Sequence, residues 1–79
     1  MKVKFFAHLQ TFTGCDEIDM PVSQKITPDE LWAELEKKYP GILHYKTPTR
    51  LARNFVYADV DSIFHEGDEI ALIPPVSGG

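Results

Sequence analysis

The group with the clearest potential for chemistry lies at the end of the chain, in the segment Pro74-Pro75-Val76-Ser77-Gly78-Gly79. Gly78 and Gly79 lack Cβ atoms, so they fit a channel too narrow for side chains and leave the Gly79 carboxylate open to attack. That carboxylate becomes an acyl donor once a nucleotide-dependent partner adenylates it, and sulfur can then replace oxygen. Because two consecutive prolines favour an extended conformation, we expect an arm of about 20 Å, at roughly 3.3 Å per residue, that enters another protein's active site.

A terminal Gly-Gly is a weak signal by itself, because chain ends are also where disorder concentrates. The other candidate groups are a single cysteine and three histidines, Cys15, His8, His44 and His65. The sequence contains no C-x-x-C, H-x-H or H-E-x-x-H, so we predict neither a metal site nor a catalytic pair. Surface or half-buried structural roles are expected for all four residues.

Composition restricts the possible partners. Hydrophobic residues make up 43% and charged residues 25% of 79 residues, which predicts one globular domain, residues 1–79, with a flexible tail at 74–79. A net charge of −4 argues against nucleic-acid binding, and Lys46, Arg50 and Arg53 make only a weak basic patch. The acidic stretch from Asp59 to Glu69 lacks the spacing of a calcium loop. No apolar run is long enough for a membrane helix, and we expect a cytoplasmic protein.

Strand patterns flank the middle of the chain. Residues 2–8 alternate between apolar and polar side chains, and residues 17–22 do the same, which predicts two strands in an antiparallel pair. A further strand is expected between Arg53 and Ala58, and Glu69 to Ile73 is apolar on both faces, as in a central strand buried from two sides. Residues 42–53 are interrupted by Pro48 and are compatible with a short helical turn.

One main helix is predicted after residue 26. Thr27 can cap its N-terminus, Pro28 suits the first helical position, and Glu30 completes a capping box. A stripe of large apolar side chains, Leu31, Trp32, Leu35 and Tyr39, defines its buried face, and Pro40-Gly41 ends it. The order of elements predicts an α+β fold, with one sheet and one main helix packed on it.

Phe6 is an unusual residue for its position, because it shares a strand face with Lys2, Lys4 and His8. That face should be partly exposed to solvent. If the last strand lies beside the first, Ile73 or Ala71 would join Phe6 in an apolar docking patch near the base of the tail. Alternatively, residues 42–53 of the same chain could cover Phe6, and the sequence favours neither explanation.

The chain end from Gly67 to Gly79, a glycine-aspartate turn followed by a strand, Pro-Pro and Gly-Gly, resembles a known family. It is similar to the small subunit of molybdopterin synthase, the MoaD type of the MoaD/ThiS ubiquitin-like sulfur carriers. The opening Val3-Lys4-Phe5-Phe6-Ala7 resembles the first strand of that family. The resemblance implies a β-grasp fold, a mixed sheet with one main helix. The chain departs from the family pattern around Val56-Tyr57-Ala58-Asp59, where relatives often have an asparagine-containing turn and a longer hairpin.

The resemblance also implies a function. Gly79, presented by Gly78, would be adenylated by a ubiquitin-activating-like adenylyltransferase that uses ATP, and then converted to a thiocarboxylate. Inserted into the synthase large subunit, in an expected heterotetramer, it would donate sulfur to precursor Z, cyclic pyranopterin monophosphate, in molybdenum cofactor synthesis. The chain would bind no cofactor tightly and would not catalyse the reaction alone. Partner contacts are expected from Phe6, Ile73, Pro74, Pro75, Val76 and Ser77.

Other functions stay open. A carrier of the same fold could supply sulfur for thiamine, cysteine or tRNA thiolation, although Pro74-Pro75 favours the molybdopterin branch. A protein modifier would join Gly79 to lysines through isopeptide bonds, and an interaction module would have an inert tail.

Overall fold

The computed structural model of the protein describes residues 1–75. Within this range the elements are β1 (Lys2–Phe5), α1 (His8–Thr13), β2 (Glu17–Asp19), β3 (Lys25–Ile26), α2 (Pro28–Lys38), a 3-10 helix (Ile42–Tyr45), β4 (Arg50–Arg53), β5 (Val56–Tyr57), β6 (Phe64–His65) and β7 (Glu69–Ile73). The predicted short helical turn corresponds to the 3-10 helix.

Five strands form the main sheet, in the order β2-β1-β7-β4-β5, and β3 pairs separately with β6. β1 runs antiparallel to β2, as predicted, and parallel to β7, while β4 is antiparallel to both β7 and β5. This mixed sheet with one main helix confirms the predicted α+β, β-grasp fold. The first and last strands are neighbours at its centre.

One face of the sheet carries the hydrophobic core. Alternate side chains of β1 and β7 point to this face, where Val3, Phe5, Ile70 and Leu72 are almost fully buried. They belong to one cluster with residues of α2, including Leu31, Trp32 and Leu35. The predicted apolar stripe of the helix is therefore confirmed, with Tyr39 half-buried at its end.

The start of α2 follows the predicted chemistry. The Thr27 hydroxyl accepts a hydrogen bond from the Glu30 backbone N–H at 3.1 Å, and the Glu30 carboxylate accepts one from the Thr27 N–H at 2.9 Å. These two bonds satisfy donors that the first helical turn leaves without partners. The helix ends at Lys38, just before Pro40-Gly41, as predicted.

The first strand is shorter than predicted. It ends at Phe5, and Ala7 adopts a positive φ of 53° that turns the chain into α1, which the alternating pattern did not predict. α1 forms at this point because the side chain of Leu9 is fully buried and anchors the helix to the core. Gly14, with φ 81°, ends it. The second strand is also shorter: it ends at Asp19, although Met20 still exchanges two hydrogen bonds with Met1.

The strand predicted at residues 53–58 is instead a hairpin. β4 and β5 pair through Arg53 and Val56, and the two residues between them, Asn54 and Phe55, both have positive φ. Two such residues are what a type I′ turn requires. An asparagine-containing turn is therefore present at Asn54-Phe55, directly before Val56 to Asp59, and the departure from the family pattern expected there stays a prediction.

β7 was predicted to be buried on both faces, but only one of its faces is fully buried. Ile70 and Leu72 are buried, but Glu69, Ala71 and Ile73 are only partly covered. β7 is central in the sheet, yet in the described part of the chain no layer covers its second face. We call this second face, with the parts of β1, β4 and β5 beside it, the open face.

Candidate docking face and tail base

The base of the tail is positioned by the pairing of β1 with β7. In this parallel pair Phe5 lies opposite Leu72, so both strands end at the same edge of the sheet. The next residues, Phe6 and Ile73, therefore point to the open face beside one another. Pro74 is buried and Pro75 is exposed. The predicted site residues Val76, Ser77, Gly78 and Gly79 lie outside the described residues.

A groove of about 300 Å³ crosses the open face. Its centre is a row of cross-strand neighbours in which Ala71 lies opposite both Lys4 and Ala52, and Ala52 lies opposite Tyr57. The residues that line the groove are Lys4, Phe6, Ala52, Phe55, Tyr57, Glu69, Ala71 and Ile73. Aromatic and aliphatic side chains dominate this set, so the groove suits an apolar surface of another protein.

The structure brings Phe6 and Ile73 into this one groove. Phe6 remains 42% exposed, and only Ala52 of residues 42–53 contributes to the lining. That segment therefore does not bury Phe6, which removes the alternative explanation for an aromatic side chain on the wet face. A role of Phe6, Ile73, Pro74 and Pro75 in partner binding stays a prediction.

Two charged contacts border the groove. The Lys4 ammonium lies 3.7 Å from the Glu69 carboxylate. The Arg50 guanidinium lies over the Tyr57 ring, 4.0 Å from its centre, and Arg50 is directly opposite Ile73. The aromatic ring thus holds the guanidinium on the β5 side of β4, beside the groove, where it can meet a carboxylate of a partner.

The three bases that cluster in the sequence are separated in the fold. The Lys46 ammonium pairs with Asp29 at 2.8 Å, and the Arg53 guanidinium donates a hydrogen bond to the Ile63 carbonyl at 2.7 Å. Only Arg50 borders the groove. Lys46, Arg50 and Arg53 therefore do not form a single basic patch.

Phe55, Tyr57 and Ala52 were missed as site residues from the sequence. Residues 50–53 were not recognised as a strand, so the alternation that places Arg50 and Ala52 on the open face was not visible. The Asn54-Phe55 pair between two short strands was the available signal, since Asn is common at the first position of such turns.

Comparison with known proteins identifies the family of this chain. The model of the ThiS family matches residues 3–79. The chain belongs to the ThiS family. It is 33% identical to the human protein named molybdopterin synthase sulfur carrier subunit, over all of this chain and 93% of that protein. The resemblance to the MoaD type is thereby confirmed.

Solved structures include proteins with the same fold as this chain. The chain is similar to SAMP1, a small archaeal modifier protein, from Haloferax volcanii, with a TM-score of 0.85 and 28% identity over 100% of this chain and 98% of that one. It is also similar to a chain in the complex of subunits 1 and 2 of the molybdopterin-converting factor from Helicobacter pylori. That match has a TM-score of 0.70 and 26% identity over 99% of this chain and 96% of the other.

The cysteine of this ThiS-family chain is part of a local network. The Cys15 sulfur is half-buried and lies 3.5 Å from the Tyr39 hydroxyl and 3.8 Å from the Thr13 hydroxyl. Burial, together with the hydrogen bond to Cys15, raises the pKa of Tyr39 to about 12, so this phenol stays protonated. The arrangement contains no base that would activate the thiol.

Two of the three histidines pack on one tyrosine ring, and the third lies elsewhere. Rings of His8 and His44 both pack on Tyr45, at 5.3 and 5.5 Å between ring centres, and His65 lies near Asp68. Within residues 1–75 there is no group of three or more His, Cys, Asp or Glu side chains that could hold a metal ion. In the same range no helix is long and apolar enough to cross a membrane.

Asp68 and Asn54 fix the hairpin turn next to the groove. The Asn54 amide donates to the Asp68 carboxylate at 3.2 Å and accepts from the Glu69 backbone N–H at 2.9 Å. Burial raises the pKa of Asp68, but the hydrogen bonds from the His65 N–H and the Asn54 amide, with the charge of Arg53, outweigh it and lower that pKa overall. The ionised carboxylate is therefore the form that holds the turn.

A larger groove, of about 660 Å³, lies between β2 and α2. Its floor includes Met20, Val22 and Ile26, and its rim carries ammonium and carboxylate groups in equal number, Lys25, Lys37, Lys38, Asp19, Glu30 and Glu34. The order of the sheet separates it from β7 by the width of β1. The smaller groove is the one that continues into the tail base.

Proposed function

We propose that this chain is a sulfur carrier that serves as the small subunit of a molybdopterin synthase. The observation that carries the proposal is the similarity over the whole chain to proteins named molybdopterin synthase sulfur carrier subunit, at 33% identity to the human protein and 38% to that of Drosophila melanogaster. The family match extends to Gly79. The names of these relatives favour this pathway over thiolation in thiamine, cysteine or tRNA synthesis.

The chemistry assigned to the tail is activation of the Gly79 carboxylate. A carboxylate oxygen attacks the α-phosphate of ATP in a ubiquitin-activating-like adenylyltransferase, pyrophosphate leaves, and an acyl adenylate forms. Sulfur at the oxidation level of sulfide then attacks the acyl carbon and displaces AMP, which leaves a thiocarboxylate. Gly78 keeps the approach to that carbon free of side chains. The ATP belongs to the activating partner, and the chain itself needs no resident cofactor.

Docking is assigned to the open face. The large subunit would cover Phe6 and Ile73, and residues 74–77 would lead from that contact into its active site. A complex of subunits 1 and 2 is known for the similar Helicobacter pylori protein, which supports a large-subunit partner. Burial of the exposed parts of these aromatic and aliphatic side chains would favour association, against the entropy lost when the two proteins bind. We propose a heterotetramer, acting in the cytoplasm on cyclic pyranopterin monophosphate.

Reconstitution tests this proposal. The chain is first treated with ATP, sulfide and the adenylyltransferase from the same organism, purified, and mixed with the large subunit and cyclic pyranopterin monophosphate. Molybdopterin should form in proportion to the loaded carrier, and a variant lacking Gly79 should give none. Product formation from carrier that was never loaded would contradict the assigned role.

A second function is favoured by one comparison, the TM-score of 0.85 to SAMP1 at 28% identity. A protein modifier would use the same adenylated Gly79, but a lysine amine in place of sulfide would attack it and release AMP. Gly79 would then be found in isopeptide bonds with lysines of other proteins. Mass spectrometry of affinity-purified conjugates from cells separates this outcome from sulfur transfer.

A further inference from the structure

Phe55 occupies a position in the hairpin turn that is unusual for its residue type. Its φ is 74°, in the left-handed region, and it follows Asn54 with φ 51°. The second position of a type I′ turn strongly favours glycine, because a Cβ in this conformation approaches the neighbouring backbone. Phe55 therefore carries backbone strain that glycine would not carry.

Packing among residues 1–75 gives no compensation for this strain. The Phe55 side chain is 90% exposed, the most exposed of the large hydrophobic side chains in residues 1–75. Asn54 differs, because its amide makes two hydrogen bonds that hold the turn against Asp68 and Glu69. The turn would form without the phenyl ring, so the ring's contribution lies outside the described part of the chain.

The ring borders the groove of the open face, together with Phe6, Tyr57 and Ile73. It projects from a turn that is fixed to β7 through the Asn54 hydrogen bond to Glu69. An exposed aromatic side chain on a rigid support is the kind of residue that anchors a protein interface, since little conformational entropy is lost when it becomes buried.

We propose that Phe55 is a specificity-determining anchor for the large subunit, an inference that rests on the proposed function. Its ring enters an apolar recess of that subunit. Charge complementarity defines the border of the recess: Arg50, whose guanidinium lies over the Tyr57 ring of the groove, forms no ion pair within the described residues, so the partner presents a carboxylate next to the recess. A second copy of this chain fits less well, since a net charge of −4 on each copy opposes association.

Two variants test this inference. Phe55→Gly removes both the strain and the ring, and Phe55→Asn removes the ring but keeps a residue that tolerates positive φ. Val60→Gly is the matched control, because Val60 is 87% exposed, lies outside the groove and is not among the residues with positive φ. Each protein is measured for its melting temperature, and its Kd for the purified large subunit of the same organism is measured by calorimetry.

We expect Phe55→Gly to melt at a higher temperature than the wild type while its Kd rises about tenfold or more, the effect of losing an interface anchor. Phe55→Asn should show the same loss of affinity, and Val60→Gly should leave the Kd unchanged. If the wild type binds and both Phe55 variants bind equally well, the anchor role is wrong although the proposed function stands. If the wild type does not bind the large subunit, the proposed function fails, and the anchor role fails with it. A wild type that dimerises through Phe55, seen by sedimentation, would also overturn the inference.

Discussion

Phe5 on β1 lies directly opposite Leu72 on β7 in a parallel register. Both side chains are buried, so the residues that follow, Phe6 and Ile73, are directed to the opposite face at the same edge of the sheet. This single pairing places the apolar groove next to Pro74, where the tail begins. A partner that docks on the groove would therefore lie next to the start of the tail.

Phe6→Ala should weaken binding of the large subunit about tenfold, because a partly exposed aromatic side chain in the groove contributes to association. Its effect on the free energy of unfolding should be well below the 3–5 kcal/mol typical of a buried phenylalanine. Phe12→Ala is the control, since Phe12 is 38% exposed, close to the 42% of Phe6, but packs on Tyr45 outside the groove. Titration calorimetry compares the two, and an equal loss of affinity in both would exclude a specific role for Phe6.

Much of this fold could be predicted from local chemistry. The capping box at Thr27, the stripe from Leu31 to Leu35 and the last strand each follow a pattern of their own, and the structure confirms them. α1 could not be predicted, because one buried residue, Leu9, is too little to set a helical period.

The candidate site was predictable only where it depends on a local sequence pattern. Phe6 was identified as an aromatic residue on a wet face, which is a property of β1 alone. Tyr57 and Phe55 depend on the register of β4 with β7, a long-range pairing that no local pattern encodes. The sequence left both an open and a covered second face of β7 possible, because Ala71 and Ile73 are apolar in either case.

Thr27→Ala should lower the free energy of unfolding by about 1 kcal/mol, because the first turn of α2 loses the hydroxyl acceptor of its capping box. Sulfur loading of Gly79 should be unchanged, since the cap lies in another layer from the open face. Thr47→Ala is the control, as Thr47 is exposed and its side chain makes no hydrogen bond within residues 1–75. Urea unfolding followed by tryptophan fluorescence measures both, and equal stability of Thr27→Ala and the wild type would contradict the capping argument.

Asp68→Asn should alter the dependence of stability on pH. The folded pKa of Asp68 lies below its ordinary value of 3.8, so the folded state binds the proton less tightly than the unfolded chain. The resulting stabilisation is present above pH 3.8 and is lost as the pH falls through the lower, folded pKa. The variant should be less stable at neutral pH and should lose less stability on acidification. Asp61→Asn, at an exposed side chain without hydrogen bonds in the described range, should follow the wild type in thermal unfolding from pH 7 to pH 2.

Cys15→Ala should retain sulfur loading and transfer. The thiol contacts Thr13 and Tyr39 beside the hydrophobic core, and no base among residues 1–75 lies in that network to activate it. A stability loss of about 1 kcal/mol is expected from the half-buried position. Loss of sulfur transfer in a folded Cys15→Ala protein would show that the thiol, and not Gly79 alone, takes part in the reaction.

The most direct test of sulfur carriage is the intact mass of the chain after incubation with ATP, sulfide and the adenylyltransferase of the same organism. We expect a mass change corresponding to replacement of one oxygen by sulfur, located at Gly79 by fragmentation and absent when ATP is omitted. A variant lacking Gly79 should keep the melting temperature of the wild type and show no such change. An unchanged mass in the wild type with an adenylyltransferase known to be active, or sulfur found on Cys15, would contradict sulfur carriage by Gly79.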